Sequence, residues 1–159
     1  MNLDAPSFDD LNDLLADADA GTRAELDAFH GAGLWTPAGE ASRLAALARE
    51  WPSHTIRDES GRPMMVMGLT LQRVGVVQTW SVGRSGWTAY NTEIVACYQK
   101  IVSGVFSGGI HRISVESMAG RHRVREWFER FGFVYEGTMR KAGVQGEDID
   151  LYGMTKEVG

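Results

Sequence analysis

The sequence of 159 residues contains one cysteine, Cys97, so no disulfide can form within the chain. The N-terminus is acidic and carries no apolar run, which excludes a recognisable signal peptide. No apolar stretch is long enough to span a bilayer. We therefore expect a protein of a reducing compartment, with a cytoplasmic location.

The chain also has fewer basic than acidic residues, 16 lysines and arginines against 21 aspartates and glutamates. Its formal net charge is -5. This balance argues against broad, nonspecific binding to nucleic acid. The four histidines do not have the spacing of metal ligands. The sequence thus predicts neither a nucleic-acid partner nor a metal site.

Hydrophobic residues make up 43% of the chain, which indicates a globular protein, and the length suits a single domain over residues 1–159. Residues 1–52 show helical periodicity, with capping patterns that begin at Ser7 and Thr22 and a proline-initiated helix at Pro37. Residues 53–158 contain the strand-like segments. We expect a helical N-terminal segment followed by a core that contains a sheet.

The core alternates short β-prone runs with two helical patterns. The predicted order is strands at 54–57, 63–71 and 76–82, a helix of about five turns, a strand at 110–117, a short helix at 121–130, and a closing hairpin of 133–140 with 148–156. This order predicts an α+β fold with a mixed, mostly antiparallel central sheet flanked by helices. The crossover from 76 to 117 would place two strands parallel and be right-handed.

The loop at 82–89 connects a predicted strand to a predicted helix N-terminus. Its sequence is Val82-Gly83-Arg84-Ser85-Gly86-Trp87-Thr88-Ala89. A glycine-bearing loop at this place can bind a phosphate through the free N–H groups and the partial positive charge of the helix start. The alternative is an ordinary strand-to-helix turn whose tryptophan packs on the surface.

The region of roughly 54–156 resembles the GNAT superfamily, the Gcn5-related N-acetyltransferases, and in particular its ribosomal-protein N-acetyltransferase-like members. The resemblance rests on a short set of motifs: Arg112-Ile113, Glu129-Arg130-Phe131-Gly132-Phe133, Glu136-Gly137 and Asp150. It implies the GNAT fold, acetyl-CoA as cofactor, and direct acyl transfer to an amine of a small molecule or protein. By the same resemblance, all eight residues of the loop at 82–89 contact the cofactor, as does Arg121.

Three positions depart from the family pattern. Trp87 stands where the pyrophosphate motif Arg/Gln-x-x-Gly-x-Gly/Ala has its central glycine, and Arg121 stands where many relatives have asparagine. Phe128 stands where many relatives have a tyrosine that acts as general acid, and phenylalanine has no proton to donate. The basic cluster at 121–125 either binds phosphates of the cofactor or is a solvated helix face.

Two residues at the end of the strand at 110–117 are the catalytic candidates. Glu116 can act as the base that deprotonates the amine, directly or through water, and Ser117 can interact with the cofactor or its thiol. The alternative for Glu116 is a solvent-facing strand residue.

A second resemblance is to the small GNAT-fold internal virion proteins of tailed bacteriophages. It rests on the segments 61–68 and 150–156. It implies a catalytically degenerate protein with a structural or binding role, protein partners and a virion location. The two hypotheses, acyltransferase and degenerate virion protein, are both compatible with the sequence, which leaves the acceptor and the oligomeric state open.

Overall fold

The structure, a computed structural model, describes residues 3–157 of the chain. Its elements are the helices α1 (Phe8–Ala16), α2 (Ala20–His30), α3 (Pro37–Glu50), α4 (Asn91–Ser107) and α5 (His122–Arg130), a 3₁₀ helix at Trp87–Tyr90, and the strands β1 (Ser53–Arg57), β2 (Pro63–Arg73), β3 (Val76–Gly83), β4 (Arg112–Met118), β5 (Val134–Met139) and β6 (Ile149–Thr155). No helix among the described residues is long and apolar enough to cross a membrane.

The predicted caps hold at two of the three N-terminal helices. The Ser7 hydroxyl accepts from the backbone N–H of Asp10, whose carboxylate accepts in return from the N–H of Ser7. Helix α3 begins at Pro37, as predicted. The prediction for α2 was wrong, because the helix begins at Ala20, two residues before Thr22. Its N-cap is Asp19, which accepts from the Thr22 N–H at 2.7 Å.

The six strands form one sheet in the order β1-β2-β3-β4-β6-β5. All neighbours are antiparallel except β3 and β4, which are joined through α4 and run parallel. This topology confirms the predicted α+β fold with a mixed, mostly antiparallel sheet.

Each face of the sheet is covered by its own set of helices. Helices α1 and α3 pack on one face, around Leu11, Leu14, Leu44, Val66 and Val82. Helices α4 and α5 cover the other face, and its core includes Ile94, Tyr98, Ile113, Val115 and Tyr152. Successive residues of a strand point to opposite faces, so the central strands contribute to both cores.

Cys97 is one of the buried residues of α4, and its burial raises the pKa of the thiol. A thiol with a raised pKa is a poor nucleophile near neutral pH. The cysteine is therefore a core residue.

Candidate functional site

The two central strands separate partway along their length. The parallel pairing of β3 with β4 spans only the register pairs from Val76 with Arg112 to Gln78 with Ser114. Continued two residues further, this register would place Trp80 opposite Glu116. The strands diverge there instead, and both residues line a cavity of about 700 Å³.

The cavity is lined by residues from both faces of the sheet. Trp80 and Val82 pack with the α1–α3 core, and helices α2 and α3 add residues to the wall on that side. On the opposite side the wall comes from α4, α5 and the 3₁₀ helix, including Trp87, Thr88, Asn91, Arg121, Trp127 and Phe128. Residues from both sides of the sheet therefore meet around the gap.

The loop at 82–89 has its glycine-dependent conformation at Gly86, where φ is +90°. Trp87, one residue later, has a negative φ and begins the 3₁₀ helix, so this position does not need glycine's conformational freedom. The N–H of Trp87 donates to the Arg84 carbonyl at 3.1 Å. Within residues 3–157, the N–H groups of Gly86 and Thr88 have no hydrogen-bond acceptor, and both residues are exposed.

The Trp87 side chain extends towards α2 and α5. Its indole N–H donates to the Asp19 carboxylate at 2.6 Å, and its ring contacts the Trp127 ring edge-on, with centroids 5.5 Å apart. Asp19 is also the N-cap of α2. Trp87 thus ties the loop to the first turn of one helix and to the face of another.

The Arg84 side chain lies inside the protein, with only 2% of its surface exposed. Its Nη2 donates to the backbone carbonyl of Asp13 at 2.9 Å and to the carboxylate of the same residue at 2.7 Å. Its Nε lies 3.3 Å from the Asp17 carboxylate. The guanidinium therefore holds the loop against the end of α1.

Glu25 of α2 connects three groups at the end of β4 and the start of α5. Its carboxylate accepts from the Ser117 hydroxyl at 2.7 Å, from the Met118 N–H at 3.0 Å and from the Arg121 guanidinium at 2.5 Å. Ser117 itself is buried. Sequence reasoning missed Glu25 because this residue and Ser117 are 92 positions apart, and Glu25 gave only a capping signal.

Glu116 has a different environment from its neighbour Ser117. It is half-buried and lines the cavity, and none of the described residues forms a hydrogen bond or an ion pair with its carboxylate. It is therefore free to act on a group that enters the gap between the strands.

Phe128 faces the cavity from α5 and packs against aromatic neighbours. Its ring lies 5.9 Å from that of Phe133 and 5.1 Å from that of Tyr152, between centroids. The Phe128 side chain contributes to the shape of the cavity wall and cannot donate a proton. Within residues 3–157, no group of three or more histidine, cysteine, aspartate or glutamate residues is placed to hold a metal ion.

No family model and no curated protein matches the chain. Solved structures do match along nearly its whole length. Ribosomal-protein-alanine N-acetyltransferase from Brucella melitensis superposes with a TM-score of 0.76 at 16% identity, over 98% of this chain and 100% of that one. The chain has the GNAT fold.

Two further structures with this fold were solved with acetyl-CoA. The GNAT superfamily phosphinothricin acetyltransferase from Sinorhizobium meliloti has a TM-score of 0.74 at 13% identity, over 99% of this chain and 89% of that one. A putative acetyltransferase from Salmonella typhimurium has a TM-score of 0.75 at 12% identity, over 100% and 96%. All three proteins are described as acetyltransferases, so the resemblance to phage virion proteins gains no support from them.

Proposed function

We propose that this protein is an acetyl-CoA-dependent N-acyltransferase that transfers an acyl group directly to an amine. The observation that carries the proposal is the cavity between β3 and β4, which is lined from both faces of the sheet. It contains Glu116, whose carboxylate has no partner among residues 3–157. Two solved proteins with the same fold hold acetyl-CoA, which supports the choice of cofactor.

The face formed by α4 and α5 suits the cofactor. The exposed N–H groups of Gly86 and Thr88 stand at a helix start and can donate to phosphate oxygens. Arg121 and Arg123 add positive charge to the same wall. The loop thus fits a phosphate through its backbone, with Arg84 and Trp87 holding the loop in place from inside the protein.

The exposed edge of β3 suits the arm of the cofactor. Backbone groups alternate along a strand, and the Arg84 N–H faces β2 through its bond to Met64. By this alternation Thr79 and Ser81 direct their N–H and C=O groups towards β4, beyond the last paired residue, Gln78. These groups can bond the amides of the pantetheine arm.

Acetyl-CoA, when bound, supplies the activated thioester. Glu116 accepts the proton of the amine, directly or through a water molecule. Ser117 and Glu25 hold the end of β4 and so fix the backbone that carries Glu116. Phe128 cannot donate a proton to a departing thiolate, so the proton for that group would come from solvent.

Calorimetry with acetyl-CoA tests the cofactor, and thiol release in the presence of amines tests the transfer. We expect saturable binding by the native protein and by Glu116→Gln. The turnover number should fall about 10²- to 10⁴-fold in that variant, the range for loss of a general base. Glu59→Gln, in an exposed turn, is the matched control and should keep full activity. No binding at millimolar acetyl-CoA would contradict the proposal and favour a non-catalytic protein.

A further inference from the structure

The half of the cavity beneath α2 and α3 combines aromatic and aliphatic side chains with charged ones. We call it the acceptor half and define it by Trp80, Glu116, Phe29, Leu47, Glu40 and Arg43. Trp80 and Glu116 flank the gap between the strands, where an amine must lie to be acylated. The side chains of Phe29 and Leu47, from α2 and α3, extend this space away from the gap.

The second carboxylate of the acceptor half is already neutralised. Glu40 is buried, and its two oxygens accept from Arg43, at 3.0 Å from Nε and 2.5 Å from Nη2. The His30 imidazole lies 3.5 Å from the same carboxylate. The two-point pairing commits one edge of the Arg43 guanidinium to Glu40.

The charge that remains in the acceptor half is that of Glu116, which has no partner among residues 3–157. An ammonium group beside it would gain an opposite charge and would lie near the aromatic ring of Trp80, which lines the same space. A carboxylate on the same acceptor would face the like charge of Glu116. The guanidinium groups of Arg43 and Arg121 are already paired, with Glu40 and Glu25. The site therefore favours an amine acceptor that is positively charged and has no carboxylate.

We propose that the acceptor is a primary amine on an aromatic or aliphatic body without a carboxylate, as in the arylalkylamines. The amine lies between Trp80 and Glu116, and the body lies against Phe29 and Leu47. This inference rests on the proposed function for the acylation step, whereas the preference for such an amine is a property of the cavity alone.

Three small molecules separate charge from size. 2-Phenylethylamine and L-phenylalanine share the same body and differ by one carboxylate, and L-phenylalaninamide keeps the bulk of that group without its charge. We expect kcat/KM for 2-phenylethylamine to exceed that for phenylalanine by about tenfold or more, as for one unit charge in a partly buried site. Phenylalaninamide should behave like 2-phenylethylamine. Equal kcat/KM values for 2-phenylethylamine and phenylalanine would overturn the inference. A kcat/KM for phenylalaninamide as low as that for phenylalanine would overturn it too.

A variant can change the preference. Glu40→Gln releases the Arg43 guanidinium, which can then pair with an acceptor carboxylate. We expect the preference for 2-phenylethylamine over phenylalanine to shrink about tenfold. Glu50→Gln, an exposed change at the end of the same helix, is the matched control and should leave the ratio unchanged. An unchanged ratio in a folded Glu40→Gln variant would contradict the role of the ion pair, and the comparison of amines in the native protein does not depend on that variant.

Calorimetry with the three molecules in the absence of acetyl-CoA separates this inference from the proposed function. Binding of 2-phenylethylamine in preference to phenylalanine, with no acetyl transfer, would support the inference and refute the acyltransferase. Binding and turnover of acetyl-CoA, with no preference for 2-phenylethylamine over phenylalanine, would refute the inference and would still support the proposed acyltransferase activity.

Discussion

Replacing Trp87 by phenylalanine removes one hydrogen bond and keeps an aromatic ring against Trp127. The lost bond is the 2.6 Å contact between the indole N–H and the Asp19 carboxylate. A bond to a charged group contributes roughly 1.5–3 kcal/mol, and the low end applies because both residues are only half-buried. With the smaller ring, we expect Trp87→Phe to lower the free energy of unfolding by about 2 kcal/mol.

Trp80 is the matched control for this experiment. Its indole nitrogen is buried and has no hydrogen-bond partner among residues 3–157, so Trp80→Phe removes the same volume without removing a bond. Its cost should be about 1 kcal/mol or less. Urea denaturation followed by far-ultraviolet circular dichroism measures both free energies without relying on tryptophan fluorescence. Equal losses in the two variants would refute the stabilising role of the Trp87–Asp19 bond.

Calorimetry with Trp87→Gly tests whether the ring obstructs the loop. The indole bonds Asp19 and packs on Trp127, whereas the free N–H groups belong to Gly86 and Thr88. Removing the ring should therefore weaken or leave unchanged the affinity for acetyl-CoA. Tighter binding would show instead that the ring blocks the loop.

Three further perturbations test ion pairs between segments that are distant in the sequence. The hydrogen bond from Arg57 lowers the pKa of Asp10 from 3.8 to about 2, so its contribution is present above about pH 4 and is lost as the pH falls through about 2. Asp10→Asn should therefore remove about 1–2 kcal/mol at pH 6 and only a small part of that at about pH 2, where the carboxylate of the folded protein is half protonated. Urea denaturation at the two pH values measures both losses, and equal losses would contradict this. Arg84→Met should lower the free energy of unfolding by about 1–3 kcal/mol, a modest loss because the partner Asp13 is half-exposed and stays solvated. The folded variant should bind acetyl-CoA with little change in affinity. A large loss of affinity would instead show that Arg84 contacts the cofactor. Glu25→Gln should lower the turnover number more than it raises the KM for acetyl-CoA, and unchanged turnover would contradict its positioning role.

Much of the fold follows from periodicity in the sequence. The capping box at Ser7, the proline start of α3 and the order of strands and helices were all predicted, because these signals are local and lie within a few residues of one another. The start of α2 was misplaced because two capping patterns overlap. The Asp19 carboxylate accepts a hydrogen bond from the Thr22 N–H. The helix therefore begins at Ala20, ahead of the start that Thr22 suggests as an N-cap.

The sequence by itself determined the α+β architecture, the position of the loop at 82–89 and the presence of Glu116 near the end of a strand. It could not assign partners to Trp87, Arg84 or Ser117, which bond residues 68, 71 and 92 positions away. Only the tertiary structure decided which polar groups are committed inside the protein and which remain free. The reason is physical, since hydrogen bonds and burial depend on distances between segments that the chain order does not specify.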